Sequence, residues 1–419
     1  MTADPPSSGT LSAATPSQEL PPTFDPREGR VLILGGGYAG VATARCLLRR
    51  GYPASKIHLV DKEPATTFRT ELYKVGEAAG GPEVVPPWTF PFDRVALTSA
   101  GVRFHQGEVL RVDLAAREVE TPSEKAPYDL LVLSLGCIPA YYGIPGCQEN
   151  SEEVYTVAGA RHLAQRLSKL LTAPPDPSDA RAVIPPVSVL IAGGGATGVE
   201  LGAHIATAPW GSLLGASTRP VKVTVLSGPA PFLAGLPERL VERARREVAR
   251  AGVEVVDGGQ VISVSPGKVT FKDLPPREPD LFVWCGGLRA PDLIASLPVA
   301  LGPARRARVT PFLEVEGHPG VFALGDCAAM LDPYDGSPVP STAQAALEQA
   351  PVAARNILAR IRGTKFQIFH YEPRGVAIAV GRGKAVAAVG KRVVGGRLAG
   401  TIKSLVAKEY HAEVRGVLA

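Results

Sequence analysis

One pattern constrains this chain more than any other, and the chain carries it twice. An apolar strand, Val31-Leu32-Ile33-Leu34, runs directly into Gly35-Gly36-Gly37-Tyr38-Ala39-Gly40 and a helical stretch. From Pro185 the unit recurs as Val187-Ser188-Val189-Leu190-Ile191-Ala192 followed by Gly193-Gly194-Gly195-Ala196-Thr197-Gly198, with a helix expected from about Val199. Strand, three glycines and helix start are the parts of a dinucleotide cradle. The first glycine turns the chain with φ > 0, the second lets backbone N–H groups approach a pyrophosphate, and the last lets the helix lie close on the strand. The helix N-terminus then offers partial positive charge to the phosphates. In the first copy a second strand, Ile57-His58-Leu59-Val60, ends in Asp61, about twenty residues beyond the glycines, where a carboxylate accepts both hydrogen bonds of a ribose diol. A glycine-rich turn followed by an unrelated surface Asp is the bland alternative. The complete order of strand, turn, helix, strand and acid argues against it.

The echo extends past the glycines. Ala100-Gly101-Val102 and Gly107 are matched by Ala251-Gly252-Val253 and Gly258, and alternating valines that read as short antiparallel strands run on to Val119 and Val269. Each copy then closes on an acid and an apolar strand, Asp129 to Leu133 before Gly136 and Asp280 to Trp284 before Gly286. A repeat on this scale predicts an α/β fold of two Rossmann-like dinucleotide-binding domains with a small C-terminal region. Two such domains imply two coenzymes meeting across a cleft.

The chain has 419 residues, enough for two or three domains. Its net charge, 45 − 40 = +5, and its 45% hydrophobic content suit a soluble enzyme, and no basic run is interleaved with aromatics, so a nucleic-acid partner is not expected. Cys46, Cys137, Cys147, Cys285 and Cys327 are scattered, with no Cys-x-x-Cys pair. Neither a metal site nor a disulfide framework is expected, and the compartment reads as reducing and cytoplasmic. Residues 1–29 read as a disordered tail without a secretory signal, and no run of 18 apolar residues predicts a membrane span. Boundaries are expected at 30–155 for the first domain, 156–297 for the second, 298–350 for a return to the first, and 351–419 for the C-terminal region.

Between the copies, Arg161 to Leu171 has helical periodicity and Thr172 to Pro186 is a Pro-rich connector. Val321 to Asp326 is a strand ending in Gly325-Asp326, with Asp326 either at a ribityl hydroxyl of a flavin or capping the next helix. A helix over Ser341 to Ile361, strands at Val376 to Val380 and Ala385 to Val389, and a terminal helix from about Arg397 complete the reading.

From about Arg30 to Lys408 these residues resemble type II NADH dehydrogenases, single-chain flavoproteins that pass electrons from NADH to a membrane quinone. The resemblance rests on Gly35 to Gly40, Thr67 to Tyr73, Gly143 to Gly146, Gly193 to Leu201, Val283 to Gly287, Ala323 to Cys327 and Pro340 to Gln349. The more discriminating pieces are Gly195 to Glu200 and Ser341 to Gln349. The resemblance implies FAD in the first domain, held by Gly35, Gly37, Tyr38, Ala39, Gly40, Asp61, Lys62, Gly136, Gly325, Asp326 and Ala343. It implies NADH in the second, held by Gly193, Gly195, Thr197, Gly198, Glu200, Ser227 and Gly287, and a quinone acceptor, with no proton pumping. Glu200, Gln344 and Lys403 are the implied catalytic residues: Glu200 near both rings, Gln344 and Lys403 toward the quinone. A peripheral position on the inner face of the cell membrane follows, and a homodimer is left open.

Three departures qualify what the resemblance implies. The strand Val223 to Leu226 ends in Ser227-Gly228-Pro229, with no carboxylate for the adenosine ribose and no arginine selecting NADPH. Glu348 stands where the family carries a glutamine. The terminal segment lacks tryptophan, and its stripe of Leu398, Ile402, Leu405, Val406 and Tyr410 suits either an interfacial helix or one docked on the protein's own core. Alternative readings are a flavoreductase with a sulfide donor, for which Cys137 and Cys147 are the candidate pair, one with a ferredoxin-like acceptor, and a slow-turnover nucleotide sensor. A thiol-disulfide reductase is disfavoured because Cys46 stands alone.

Overall fold

A computed structural model describes residues 29–79, 88–174, 184–390 and 392–415. The expected tail, apart from Gly29, and most of the Pro-rich connector lie outside the described residues. The two apolar strands that enter the glycine turns, Val31–Leu34 and Val187–Ala192, each lie inside a parallel sheet. A parallel strand is covered on both faces, which is why these runs are continuously apolar instead of alternating. In the first sheet the order is Val321–Ala323, Leu130–Leu133, Val31–Leu34, Ile57–Asp61, Arg103–Gln106. The second sheet repeats it as Leu281–Trp284, Val187–Ala192, Val221–Leu226, Val253–Val256. The strand Val321–Ala323 returns to the first sheet and pairs with Leu131 to Leu133.

The alternating valines form antiparallel appendages in both copies: Arg111–Asp113, Glu118–Glu120 and Lys125–Pro127 in the first, Val261–Ser265 with Lys268–Phe271 in the second. Where each copy ends, Ile138–Pro139 pairs antiparallel with Leu288–Arg289 and ties the two halves together. The indole of Trp284 donates to the Ala140 carbonyl across this seam at 2.9 Å.

Helix boundaries follow capping chemistry more than periodicity. The helix expected over Arg161 to Leu171 spans Val157–Thr172, because the Thr156 hydroxyl accepts the Gly159 N–H at its start. The helix after the second glycine turn starts at Ala196, one turn before the expected Val199. Thr342 likewise caps the long helix Ala343–Arg362, which packs along the first glycine helix, Tyr38–Arg49.

The C-terminal region holds three antiparallel strands, Val376–Ala379, Ala385–Val389 and Arg392–Gly396. The third, with Gly395 and Gly396, carries the residue type that reads as a strand breaker. One face of this sheet (Ile378, Val386, Ala388) joins the core of the second domain, while Ala385 and Ala387 pack on Ala399 of the terminal helix, Arg397–Arg415. Sandwiched in this way, the small sheet fixes where the terminal helix lies. No helix among the described residues is long and apolar enough to cross a membrane.

Candidate functional site

The two glycine turns have the same geometry. Gly35 has φ +99° and a Cβ there would stand 2.3 Å from the Ser134 carbonyl oxygen; Gly193 has φ +135° and would meet the Cys285 carbonyl oxygen at 2.1 Å. A Cβ on Gly40 or Gly198 would strike the carbonyl oxygen of Gly35 or Gly193 at 1.9 and 2.0 Å, so both helices rest on bare backbone. At Gly37 and Gly195 a Cβ would meet nothing within 4 Å, and neither residue caps its helix with a side chain. Each turn therefore presents uncapped N–H groups toward open space, the arrangement a pyrophosphate fills.

Asp61 accepts the Gly36 N–H at 2.6 Å and the Glu63 N–H at 2.9 Å, which holds its carboxylate beside the first turn. Lys62 beside it is exposed, and its carbonyl accepts from Gln106. In the second copy Ser227 occupies the matching place: a Cβ on Gly194 would lie 2.2 Å from its hydroxyl. That hydroxyl is buried without a hydrogen-bond partner. An orphaned donor under a glycine turn is a group awaiting a ligand, and these residues fit a bound dinucleotide in each domain.

Around the first turn, the Tyr38 phenol shares a hydrogen bond with Thr70 at 2.9 Å, and burial drives its pKa upward. Ala39 and Ala346 flank Gly325, whose N–H is accepted by the buried Gln349 at 2.7 Å. Asp326 caps no helix; it accepts the Cys137 thiol at 3.1 Å, and burial together with the Asp326 charge pushes that thiol to about 12. The Arg69 guanidinium packs beside Gly136 and donates to the Cys137 carbonyl at 2.9 Å. Ala343 is the first residue of the long helix. On the nucleotide side, Thr197 hydrogen-bonds the buried Tyr155, and Gly287 lies against the Tyr142 hydroxyl.

Glu200 is the fifth residue of its helix, past the first turn, and it is buried, so the helix dipole alone does not account for it. Its carboxylate meets the Lys403 ammonium at 2.7 Å and accepts the Ala379 N–H at 2.9 Å. Lys403 also donates to the Ala377 carbonyl at 3.3 Å and stands 5.6 Å from the centre of the Tyr73 ring. Burial and the Glu200 charge drive the Tyr73 phenol pKa upward, so it stays protonated.

Gln344 lies elsewhere on the long helix, donating to Glu348 at 3.0 Å and to the Glu372 carbonyl at 3.1 Å. The unexpected carboxylate of Glu348 is met by Arg374 at 2.9 Å. Arg374 beside Glu348 and His204 beside Glu200 were not singled out from sequence, and Tyr73, also beside Glu200, was read only as the end of the stretch Thr67 to Tyr73. For His204 a signal existed, since it stands one turn after Glu200 on the same helix face; Arg374 lies on a connecting segment without periodicity.

The terminal helix is docked on the first domain through Tyr410 against Tyr38, His411 stacked on Phe68 at 3.8 Å, and Glu413 paired with Arg45. Its apolar stripe is thereby divided: Ile402 and Tyr410 are partly buried, while Leu398, Leu405 and Val406 face outward. The cysteine pair is not assembled, because Cys147 is buried in a cluster with Leu190, Trp284 and Phe271 whereas Cys137 bonds Asp326. All five cysteines are buried and free of disulfides.

Two parallel sheets of one strand order, each opened by a glycine turn, define the two-dinucleotide class of α/β reductases. The model of the pyridine nucleotide-disulphide oxidoreductase family matches residues 29–350. The chain belongs to that family and is an oxidoreductase. It is 27% identical over 401 residues to the type II NADH:quinone oxidoreductase of Staphylococcus aureus strain MSSA476, covering 93% of this chain and 96% of that one. The protein of the same name from Staphylococcus epidermidis is 28% identical over 393 residues, with 90% and 94% covered. In structure the chain is similar to NDH2 of Plasmodium falciparum solved in complex with NADH, with TM-score 0.77, 15% identity and 93% and 96% coverage. It is also similar in fold to the sulfide:quinone oxidoreductase of Aquifex aeolicus, with TM-score 0.71, 22% identity and 92% and 91% coverage.

Proposed function

We propose that this chain is an NADH:quinone oxidoreductase of the type II kind, with FAD in the first domain, NADH in the second and a membrane quinone as acceptor, working without proton pumping. The observation that carries the reading is the Glu200–Lys403 pair, which joins the second glycine helix to the terminal helix at 2.7 Å. When bound, the flavin supplies the chemistry of accepting a hydride and releasing two electrons. The protein's part is binding, orientation and proton management. Gly35 to Gly40 and Gly193 to Gly198 bind the two pyrophosphates, with Asp61 on one ribose. Asp326 and the N-terminus at Ala343 orient the flavin from the first domain.

Lys403 holds a transferable proton at Nζ and Glu200 holds its exchange partner at Oε1, one step apart. The Arg374 guanidinium offsets the Glu348 carboxylate, so an uncharged acceptor beside Gln344 meets a neutral pair instead of a bare anion. Exposed Leu398, Leu405 and Val406 on the terminal helix support a peripheral contact with the bilayer from which the quinone arrives.

The test is optical. Purified protein should be yellow, NADH should bleach it within the mixing time, and a short-chain quinone should restore the colour. Failure of every quinone to restore it would overturn the acceptor assignment while leaving the family unaffected.

A further inference from the structure

The strand Val221–Leu226 beside the second glycine turn runs out at Ser227 without an acid, and the stretch that follows, Gly228 to Pro231, brings no cation. The fold supplies both charges from elsewhere. The Ser227 N–H donates to the Val256 carbonyl and the Gly259 N–H donates to the Ser227 carbonyl, each at 2.8 Å. Asp257 lies between those two attachment points and so flanks Ser227 from the next strand over. Arg245, on the helix Glu238–Arg250, forks onto the Asp257 carboxylate through two contacts of 3.0 Å. Its guanidinium also lies 4.7 Å from the centre of the buried Phe232 ring. The next residue, Leu233, donates its N–H to the Gly194 carbonyl at 2.8 Å, which ties the seat of Arg245 to the turn itself.

We propose that the Arg245–Asp257 pair reads the adenosine ribose of the coenzyme, and that the second domain accepts NADPH nearly as well as NADH; this rests on the nucleotide reading of that domain. Neither residue has a part in the cradle described above, and no pattern around Ser227 points to either.

A ribose diol is recognised by a carboxylate that accepts from it, and a 2′-phosphate by a guanidinium that donates to it in a fork. A lone acid at the strand end repels the phosphate, and a lone arginine leaves the diol without an acceptor. Paired, the two charges cancel and neither coenzyme is turned away. The side chains are 40% exposed for Arg245 and 55% for Asp257, and an ion pair this open is weak, so either partner is released to a ligand at small cost. Arg245 keeps its place when Asp257 lets go, because its plane rests on Phe232. The orphaned Ser227 hydroxyl adds a neutral group that serves a diol oxygen or a phosphate oxygen alike.

The test uses the oxidised holoenzyme, with NAD⁺ and NADP⁺ as ligands because neither reduces the flavin. Calorimetric Kd values for the two should agree within about tenfold in the wild type. Arg245→Ala should weaken NADP⁺ about tenfold and leave NAD⁺ within about twofold. Asp257→Asn frees the guanidinium, and should tighten NADP⁺ and weaken NAD⁺ by about threefold or more each. Both substitutions break the same ion pair, so a pair that only braced the surface would shift the two nucleotides alike. Arg245→Lys keeps the charge without the fork and should recover part of the NADP⁺ affinity. A wild-type preference for NAD⁺ beyond about tenfold, or an Arg245→Ala protein whose two Kd values move together, overturns the proposal. A yellow protein that binds neither nucleotide would instead overturn the nucleotide reading of the second domain, so the two failures are distinguishable.

Discussion

Glu200 on the second glycine helix and Lys403 on the terminal helix form a 2.7 Å ion pair, with the Ala379 N–H held on the same carboxylate. Three parts of the chain converge on one oxygen. Replacing Lys403 by Met strands a buried carboxylate and should cost about 2 to 4 kcal/mol. Glu200→Gln, which keeps the amide contact, should cost less. Urea midpoints of the two single variants and the double variant test this; a Lys403→Met midpoint equal to wild type would remove the pair as a stabilising element. Glu200→Gln should also retain bound FAD and lower turnover by about tenfold or more with both substrates saturating.

Gly198→Ala would place a Cβ 2.0 Å from the Gly193 carbonyl oxygen and push the helix off its strand. The overpacking should cost about 1 to 3 kcal/mol. Because the displaced helix forms the second turn, the KM for NADH should rise while the flavin spectrum stays intact. Gly40→Ala makes the mirrored change in the first domain and should yield colourless protein. Flavin content per chain after native purification separates the two outcomes.

Ser227 stands under the second turn with an orphaned hydroxyl, where the first domain has Asp61 bonded to Gly36. Ser227→Asp should supply the missing acceptor for the Gly194 N–H and for an adenosine ribose diol. NADH should then be favoured over NADPH by about tenfold more than in the wild type, the worth of one charge-assisted hydrogen bond. An unchanged ratio of kcat/KM values would mean that the adenosine end is read elsewhere.

His204 titrates at about 4 in the folded chain against an ordinary 6.5. The unfolded chain binds the proton first, so stability is fully present above pH 6.5 and falls as pH drops toward 4, by at most about 3 kcal/mol. His204→Gln removes the titration and keeps an acceptor for the Gly76 N–H. Between pH 7.5 and pH 4.5 its urea midpoint should fall less than that of the wild type.

Leu398 and Leu405 are 65% and 59% exposed on the terminal helix. Changing both to Glu should alter stability by less than about 0.5 kcal/mol for each and leave activity with a soluble quinone intact. Flotation with anionic vesicles should be lost. Vesicle binding at wild-type levels would assign the membrane contact to another surface.

The glycine turns, both strand sets, Asp61 and the return strand to Asp326 were legible in the sequence, because phosphate cradles and buried parallel strands impose local patterns on consecutive residues. Gly35 and Gly193 are glycines for a reason a single turn contains: positive φ beside a carbonyl. The helix beginnings at Val157 and Ala196 were blurred, since one capping hydroxyl or one bare turn outweighs periodicity. The partners of Glu200 and Glu348 were not legible. Lys403 and Arg374 meet them only because a small sheet, built partly on glycines, is clamped between the second domain and the terminal helix. The same clamp turns Leu398 and Leu405 outward while Tyr410 packs on Tyr38. Backbone chemistry within a few residues determined the cradles; charge pairing and exposure were decided by packing between distant elements, which no local pattern encodes.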